Sequence, residues 1–192
     1  MNISEEIKES ISVKEKLLND LNLLKKISEL SDSCLKSIKA GGKIIFAGNG
    51  GSFADSQHLT AEFVSRLRFD RSPLPSIALG TNSSTMSAIG NDYGYDNVFK
   101  RELIALGCAN DIFIPITTSG NSLNIILAIE QAKKMNIKTV VLTGKNGGKV
   151  KSLTNCICVP SNRTERVQES HILIGHIICG VVEESYFNKN KT

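Results

Sequence analysis

The sequence predicts a three-layer α/β domain: a doubly wound, flavodoxin-like parallel sheet of five strands in the order 2-1-3-4-5, preceded by an N-terminal helical arm. Three observations carry that expectation. Short apolar runs alternate with helical stretches from Gly42 onward, two strand ends run into loops of glycine and hydroxyl residues, and a long helical stripe precedes the first strand. With 192 residues, 41% of them hydrophobic, the chain fits one such domain plus an accessory arm and leaves no room for a second catalytic domain.

The arm comes first. Apolar residues recur at helical spacing from Ile3 to about Ala40 (Ile7, Ile11, Leu17, Leu18, Leu21, Leu24, Ile27, Leu30, Cys34, Leu35, Ile38), and Gly41-Gly42 ends the run. Two successive helices or one broken helix fit this pattern, packed on the body of the protein or on another subunit. The arm thus covers residues 1–40 and the main domain 41–188. Within that domain the expected strands are Lys43–Ala47, Ser76–Leu79, Asp111–Thr117, Lys138–Thr143 and Asn155–Val159. The expected helices are roughly Ser52–Arg66, Ser83–Ile89, Asp96–Leu106, Ser122–Met135 and a long final one, Thr164–Tyr186.

Composition narrows the function. The net charge of +4 comes from lysines scattered through the N-terminal region and from Lys189 and Lys191, without the aromatic interleaving of a nucleic-acid surface, so it reads as a mild bias toward anionic ligands. The five cysteines are odd in number and form no C-x-x-C pair, which argues against a disulfide framework and for a reducing cytoplasm. Cys156 and Cys158 face one way on a strand; that suits a metal, but buried thiols used as small apolar residues explain it more simply. Met1–Ser10 has no apolar core of a signal peptide, and Ile172–Val182 is too short to span a bilayer, so a cytoplasmic, membrane-free protein is expected.

The chemistry gathers at two loops. Gly48-Asn49-Gly50-Gly51-Ser52 follows the first strand, and Thr117-Thr118-Ser119-Gly120-Asn121-Ser122 follows the third. In a 2-1-3-4-5 sheet these strands are neighbours whose helices leave to opposite faces, and ligands bind in the crevice between them. Glycines let backbone amides approach a ligand, and each following helix adds free N–H groups and a partial positive charge. A hydroxyl cluster without lysine suits a phosphate monoester better than a triphosphate, and neither a P-loop nor a dinucleotide fingerprint is present. Either loop alone is most simply a turn; their convergence on one crevice favours a phosphate cradle.

Beyond the cradle, His58 and Glu62 stand four residues apart on the first crossover helix and share a face, placed to ligate a divalent ion or to act as acid and base. An exposed ion pair is the plainer alternative. On the last helix His176 lies within the most apolar run, so as a buried histidine it requires a ligand or a core hydrogen bond. Gln168 precedes it by eight positions, about 12 Å along a continuous helix, so the two share one ion only if the helix bends, starts late, or contributes from two copies of the chain. Asn91-Asp92 is expected just after a short helix, offering groups suited to sugar hydroxyls or forming a plain turn. Arg66, Arg68 and Arg71 could assist an anion or simply be solvated.

Taken in order, the segments GNGGSFADSQHLTAEF, AIGNDYGYDNVFKR, TTSGNS, LTGKNGG and RVQESHILIGHI resemble the phosphoheptose isomerases of the sugar isomerase (SIS) family, over about Lys39–Phe187. That resemblance implies a homotetramer with sites at subunit interfaces, one Zn2+ per subunit, and conversion of sedoheptulose 7-phosphate to D-glycero-D-manno-heptose 7-phosphate for surface glycans. It implies His58, Glu62, Gln168 and His176 as zinc ligands, with Glu62 and His176 moving protons. It further implies substrate contacts from Asn49, Gly50, Gly51, Ser52, Glu62, Asn91, Asp92, Thr117, Thr118, Ser119, Ser122 and Gln168. Thr117, Phe53 and Leu67 depart from the family pattern, where serine, a small or polar residue and tyrosine are expected, and bear on fine specificity. A non-enzymatic SIS tetramer binding a protein partner such as a replication initiator is the competing reading; it needs neither acid, base nor metal ligands, and this chain has candidates for all of them.

Overall fold

A computed structural model describes residues 2–187; Asn188, the expected end of the domain, and Lys189 and Lys191 of the basic tail lie outside the described residues. Its five strands, β1 (Ile44–Gly48), β2 (Ser76–Ala78), β3 (Ile112–Thr117), β4 (Lys138–Thr143) and β5 (Asn155–Cys158), form one sheet of order β2-β1-β3-β4-β5. All pairings are parallel. β1 and β3 read as unbroken apolar runs because both faces of a parallel sheet are covered, so no solvent face demands alternating polar residues.

Seven α-helices are described: α1 (Ile3–Asn19), α2 (Leu21–Lys39), α3 (Gly51–Val64), α4 (Ser83–Tyr93), α5 (Val98–Leu106), α6 (Leu123–Lys134) and α7 (Thr164–Tyr186). The predicted break in the N-terminal stripe falls at Asp20, which ends α1 and caps α2 by accepting from Leu23 N–H at 3.0 Å. One face of the sheet packs residues of α2, α3 and α7 (Leu30, Ile38, Leu59, Phe63, Ile174, Ile178) on Ile44, Phe46 and Ile114. The other packs α5 and α6 (Phe99, Leu103, Ile125, Ile129) on Ile45, Phe113 and Val141. This is the doubly wound arrangement, and it puts α3 and α6 on opposite faces of adjacent strands.

α1 lies along α7 through polar contacts: Ser10 Oγ and Lys14 Nζ reach Glu169 at 2.6 and 2.9 Å, and Arg166 donates to the Glu6 carbonyl at 2.6 Å. Its outer side leaves Ile3, Ile7, Ile11 and Leu18 more than half exposed.

The structure corrects one boundary that bears on function. α4 continues four residues past the expected Ile89, so Asn91 and Asp92 stand in its last turn rather than in a turn after it. Gly94, at φ +81°, ends the helix; Gly90 is an ordinary helical residue with open space where a side chain would go. All five cysteines are free, and Cys156 and Cys158 pack toward the α5/α6 face.

Candidate active site

Parallel register places Gly48 opposite Ile116, so the loops after β1 and β3 emerge side by side at the carboxyl edge of the sheet. Neither helix that follows carries a side-chain N-cap: Gly50 (φ +56°) precedes α3 and Ser122 precedes α6. Phe53 N–H bonds the Gly50 carbonyl and Ile125 N–H the Asn124 side chain, so only the leading amides of each helix, Gly51 in α3 and Leu123 and Asn124 in α6, are left for a ligand. Among the described residues Gly50 and Gly51 have no protein acceptor, whereas the next amide, Ser52 N–H, bonds the Asn49 carbonyl at 3.0 Å. Gly48 admits no side chain, since a Cβ there would lie 2.4 Å from the Ser52 carbonyl oxygen. Ser52 is buried beneath the cradle against Gly48, while Ser119 is exposed and Thr118 half-buried at its rim. Thr117 is buried with its hydroxyl 3.4 Å from Ser122 Oγ.

α3 and α7 run in the same direction and touch along their length. Gln168 abuts Gly51 at one level, and Gly175 abuts Leu59 two turns on. The consequence is a three-residue constellation. His58 Nε2 lies 3.0 Å from His176 Nε2 and 3.0 Å from Glu62 Oε1, and one ligand atom from each of these residues falls within 4.8 Å of the others. A neutral His58 carries at most one hydrogen on Nε2, which cannot serve both contacts. A cation at the point of convergence satisfies all three groups together, and two imidazole nitrogens with a carboxylate oxygen is a donor set suited to zinc. On the same face, one turn earlier, Asp55 has a buried carboxylate oxygen without a partner; burial pushes its carboxyl up to about 6, partly offset by His58.

Gln168 stands apart from this cluster. On the unbroken α7 it sits eight residues, about 12 Å, before His176, and its amide faces the glycine loop. Asn91 and Asp92 are exposed and hydrogen-bonded to each other at 2.8 Å. Phe53 and Tyr95 line a groove beside the cradle with Gln57, Gly80 and Met86. Leu67 packs on the core, and its N–H donates to Glu183.

The burial expected of His176 is not what the structure shows. His176 is half-exposed; His171 is the fully buried one. His171 shares the core face of α7 with Val167, Ile174 and Ile178, a helical stripe readable in the sequence, whereas the apolar run around His176 covers every face of the helix. Burial pushes His171 down to about 4; its ring lies by the Thr143 backbone, which favours the charged form slightly, but neither nitrogen reaches ordinary hydrogen-bond geometry.

Arg71 is not a solvated arginine. It pairs with Glu183 at 2.8 Å, both side chains almost wholly buried, and donates to the carbonyls of Glu62 and Phe63 at 2.7 and 2.6 Å. Against the upward push of burial, the Leu67 and Arg68 amides and the Arg71 guanidinium hold the Glu183 carboxyl below its usual range. The pair thereby fixes the C-terminal end of α3, where Glu62 sits.

An anion cradle at the switch point of a doubly wound sheet, beside a metal or acid–base trio that α3 and α7 build together, is the site of a small-anion enzyme, and the comparisons make its class the SIS domain. Residues 9–144 match the SIS domain family. A phosphoheptose isomerase of Sulfurimonas denitrificans is 52% identical over 186 residues, 96% of this chain and 95% of the relative. One of Aneurinibacillus thermoaerophilus is 53% identical over 190 residues, 98% and 96% of the two chains. The solved phosphoheptose isomerase of Francisella tularensis superposes with a TM-score of 0.90 at 34% identity, over 95% of this chain and 96% of that one. The chain belongs to the phosphoheptose isomerase family. It is an isomerase, and the partner-binding alternative gives way to that reading.

Proposed function

We propose that the chain converts sedoheptulose 7-phosphate to D-glycero-D-manno-heptose 7-phosphate in the cytoplasm, for heptose-containing surface glycans, as a zinc-dependent homotetramer. The observation that carries the reading is the His58–Glu62–His176 convergence beside an uncapped glycine loop, in a chain half identical to phosphoheptose isomerases. The free Gly50 and Gly51 amides and the Ser119 hydroxyl receive the phosphate. Glu62 removes a proton from C1 of the ketose while His176 delivers one to O2, giving the enediol. His176 then accepts the O1 proton as Glu62 returns a proton to C2, and the aldose forms with no net gain or loss of protons. Zinc held by His58, Glu62 and His176 would supply a Lewis acid that polarises the substrate carbonyl. A carboxylate bound to a metal is a weak base, so with zinc present Glu62 would have to leave the ion to act as the base. Gln168, too far along α7 to join its own protomer's trio, would complete the ligand set only from a second copy, and the exposed Ile3, Ile7, Ile11 and Leu18 offer an apolar surface for such an assembly.

Among the described residues no helix is long and apolar enough to cross a membrane. The deciding experiment is turnover of sedoheptulose 7-phosphate, beside other ketose phosphates, by the wild type, Glu62→Gln and His176→Ala. Both variants lose isomerisation while remaining folded oligomers; near-normal turnover in either refutes the assignment.

A further inference from the structure

Asn49 sits between Gly48 and Gly50 in a loop whose glycines leave the backbone free to move, so something else must fix the Gly50 and Gly51 amides. The Asn49 side chain is itself tied down. Asn49 Nδ2 donates to Asn124 Oδ1 at 3.0 Å, and Asn124 Nδ2 donates back to Asn49 Oδ1 at 2.9 Å, across 75 positions of sequence. Tyr95 Oη adds a third bond, donated to Asn49 Oδ1 at 3.0 Å.

The polarity of this network is determined rather than chosen. Asn124 Oδ1 also accepts from Ile125 N–H at 2.9 Å, and a backbone N–H can only donate. Hence the Asn124 atom facing it is oxygen, the other is the NH2, and the Asn49 atom receiving that NH2 is its carbonyl. Tyr95 must then donate to the same oxygen. Asn124 is buried in the first turn of α6, so its amide requires these partners. Tyr95 is 53% exposed, on the rim of the groove beside Phe53.

We propose that Asn124, assisted by Tyr95, is a positioning residue for phosphate recognition: the paired amides tie the end of β1 to the start of α6 and hold the two halves of the cradle at one spacing. With its carbonyl accepting twice and its NH2 donating once, Asn49 serves a ligand chiefly by aiming the Gly50 and Gly51 N–H groups. The proposal rests on the sugar-phosphate reading of the site, and it concerns binding of the phosphate group rather than proton transfer.

The test measures the Kd for inorganic phosphate by calorimetry, and KM and kcat for sedoheptulose 7-phosphate, in the wild type, Tyr95→Phe, Asn124→Asp and each change in an Asn49→Ala background. Loss of one hydrogen bond, about 0.5–1.5 kcal/mol, corresponds to a roughly 2- to 12-fold weakening. Tyr95→Phe is expected to raise the phosphate Kd and KM about threefold, with kcat and melting temperature unchanged, because its hydroxyl supports no core packing. Asn124→Asp sets a carboxylate oxygen against the Asn49 carbonyl and is expected to raise both about tenfold or more. In the Asn49→Ala background Tyr95→Phe has no further effect, since its hydroxyl acts through Asn49, whereas the added charge of Asn124→Asp keeps only its direct repulsion of the phosphate. Unaltered phosphate Kd in Tyr95→Phe and in folded Asn124→Asp overturns the proposal, as does a Tyr95→Phe effect that persists without the Asn49 amide. If Asn124→Asp does not fold, Tyr95→Phe and its Asn49→Ala cycle decide alone. A wild type that binds phosphate but does not turn over the heptose ester would refute the substrate reading while the phosphate series still scores the latch.

Discussion

Gly175→Ala tests whether close approach of α3 and α7 builds the site. A Cβ at Gly175 would lie 2.4 and 2.5 Å from the two Leu59 methyls and 3.0 Å from Leu59 Cγ. Carbon atoms pack at about 3.5–4.0 Å, so the helices must part by about 1 Å, because the fully buried Leu59 has nowhere to turn. Overpacking costs about 1–3 kcal/mol, against which alanine gains about 1 kcal/mol over glycine in a helix. Net stability should fall by only about 0–2 kcal/mol, so urea denaturation alone is a blunt probe. The site is sharper: His58 and His176 are the chain neighbours of the clashing residues, and their 3.0 Å Nε2–Nε2 separation widens with the helices. Zinc affinity, read by competition with a chromophoric chelator, should therefore drop at least tenfold. Leu59→Ala alone leaves a cavity costing about 2–5 kcal/mol, and in the double variant the new methyl moves into it, so the two costs do not add. Unchanged zinc affinity in Gly175→Ala, or additivity within about 0.5 kcal/mol, would refute the reasoning.

Glu183→Gln leaves the Arg71 guanidinium buried without its counter-charge and should destabilise by about 3–5 kcal/mol in urea titration; a loss below about 1 kcal/mol would show that the pair is dispensable. His171 titrates near 4 in the fold against 6.5 unfolded, so its stability contribution is full above pH 6.5 and lost as pH falls toward 4, at about 1.4 kcal/mol per unit. The wild type should therefore lose about 2 kcal/mol relative to His171→Leu between pH 7 and pH 5. Asp55, pushed up to about 6, slopes the opposite way in both proteins and cancels in that difference; a difference independent of pH would place the buried charge elsewhere. Exhaustive chelation should abolish turnover and zinc should restore it, whereas full activity in metal-free protein would remove zinc from the chemistry.

The strands and both cradle loops were legible because a parallel sheet writes itself as apolar runs, and glycine and hydroxyl clusters mark strand ends. His58 and Glu62 were legible as a helical pair. What joins His176 to them was not, since the parallel register of α3 and α7 follows from a tertiary contact between Gly175 and Leu59, which no local pattern announces. The His171 burial was readable, as a stripe with Val167, Ile174 and Ile178, but a count of apolar chain neighbours points to His176 instead. Asn124, Tyr95 and Arg71 carry no motif of their own. Their roles come from partners distant in the chain, Asn49 for the first two and Glu183 for the third.

The pairing of α3 with α7 also sets when the site can first exist. His58 and His176 are separated by 118 positions, so a chain emerging from the ribosome at about 5–20 residues per second displays its glycine loop well before the residue that completes the trio. Any C-terminally truncated product ending before α7 retains the sequence of the strands and glycine loop but lacks His176, so the trio is incomplete however well the remainder folds. The three-residue convergence is thus completed only near the end of synthesis.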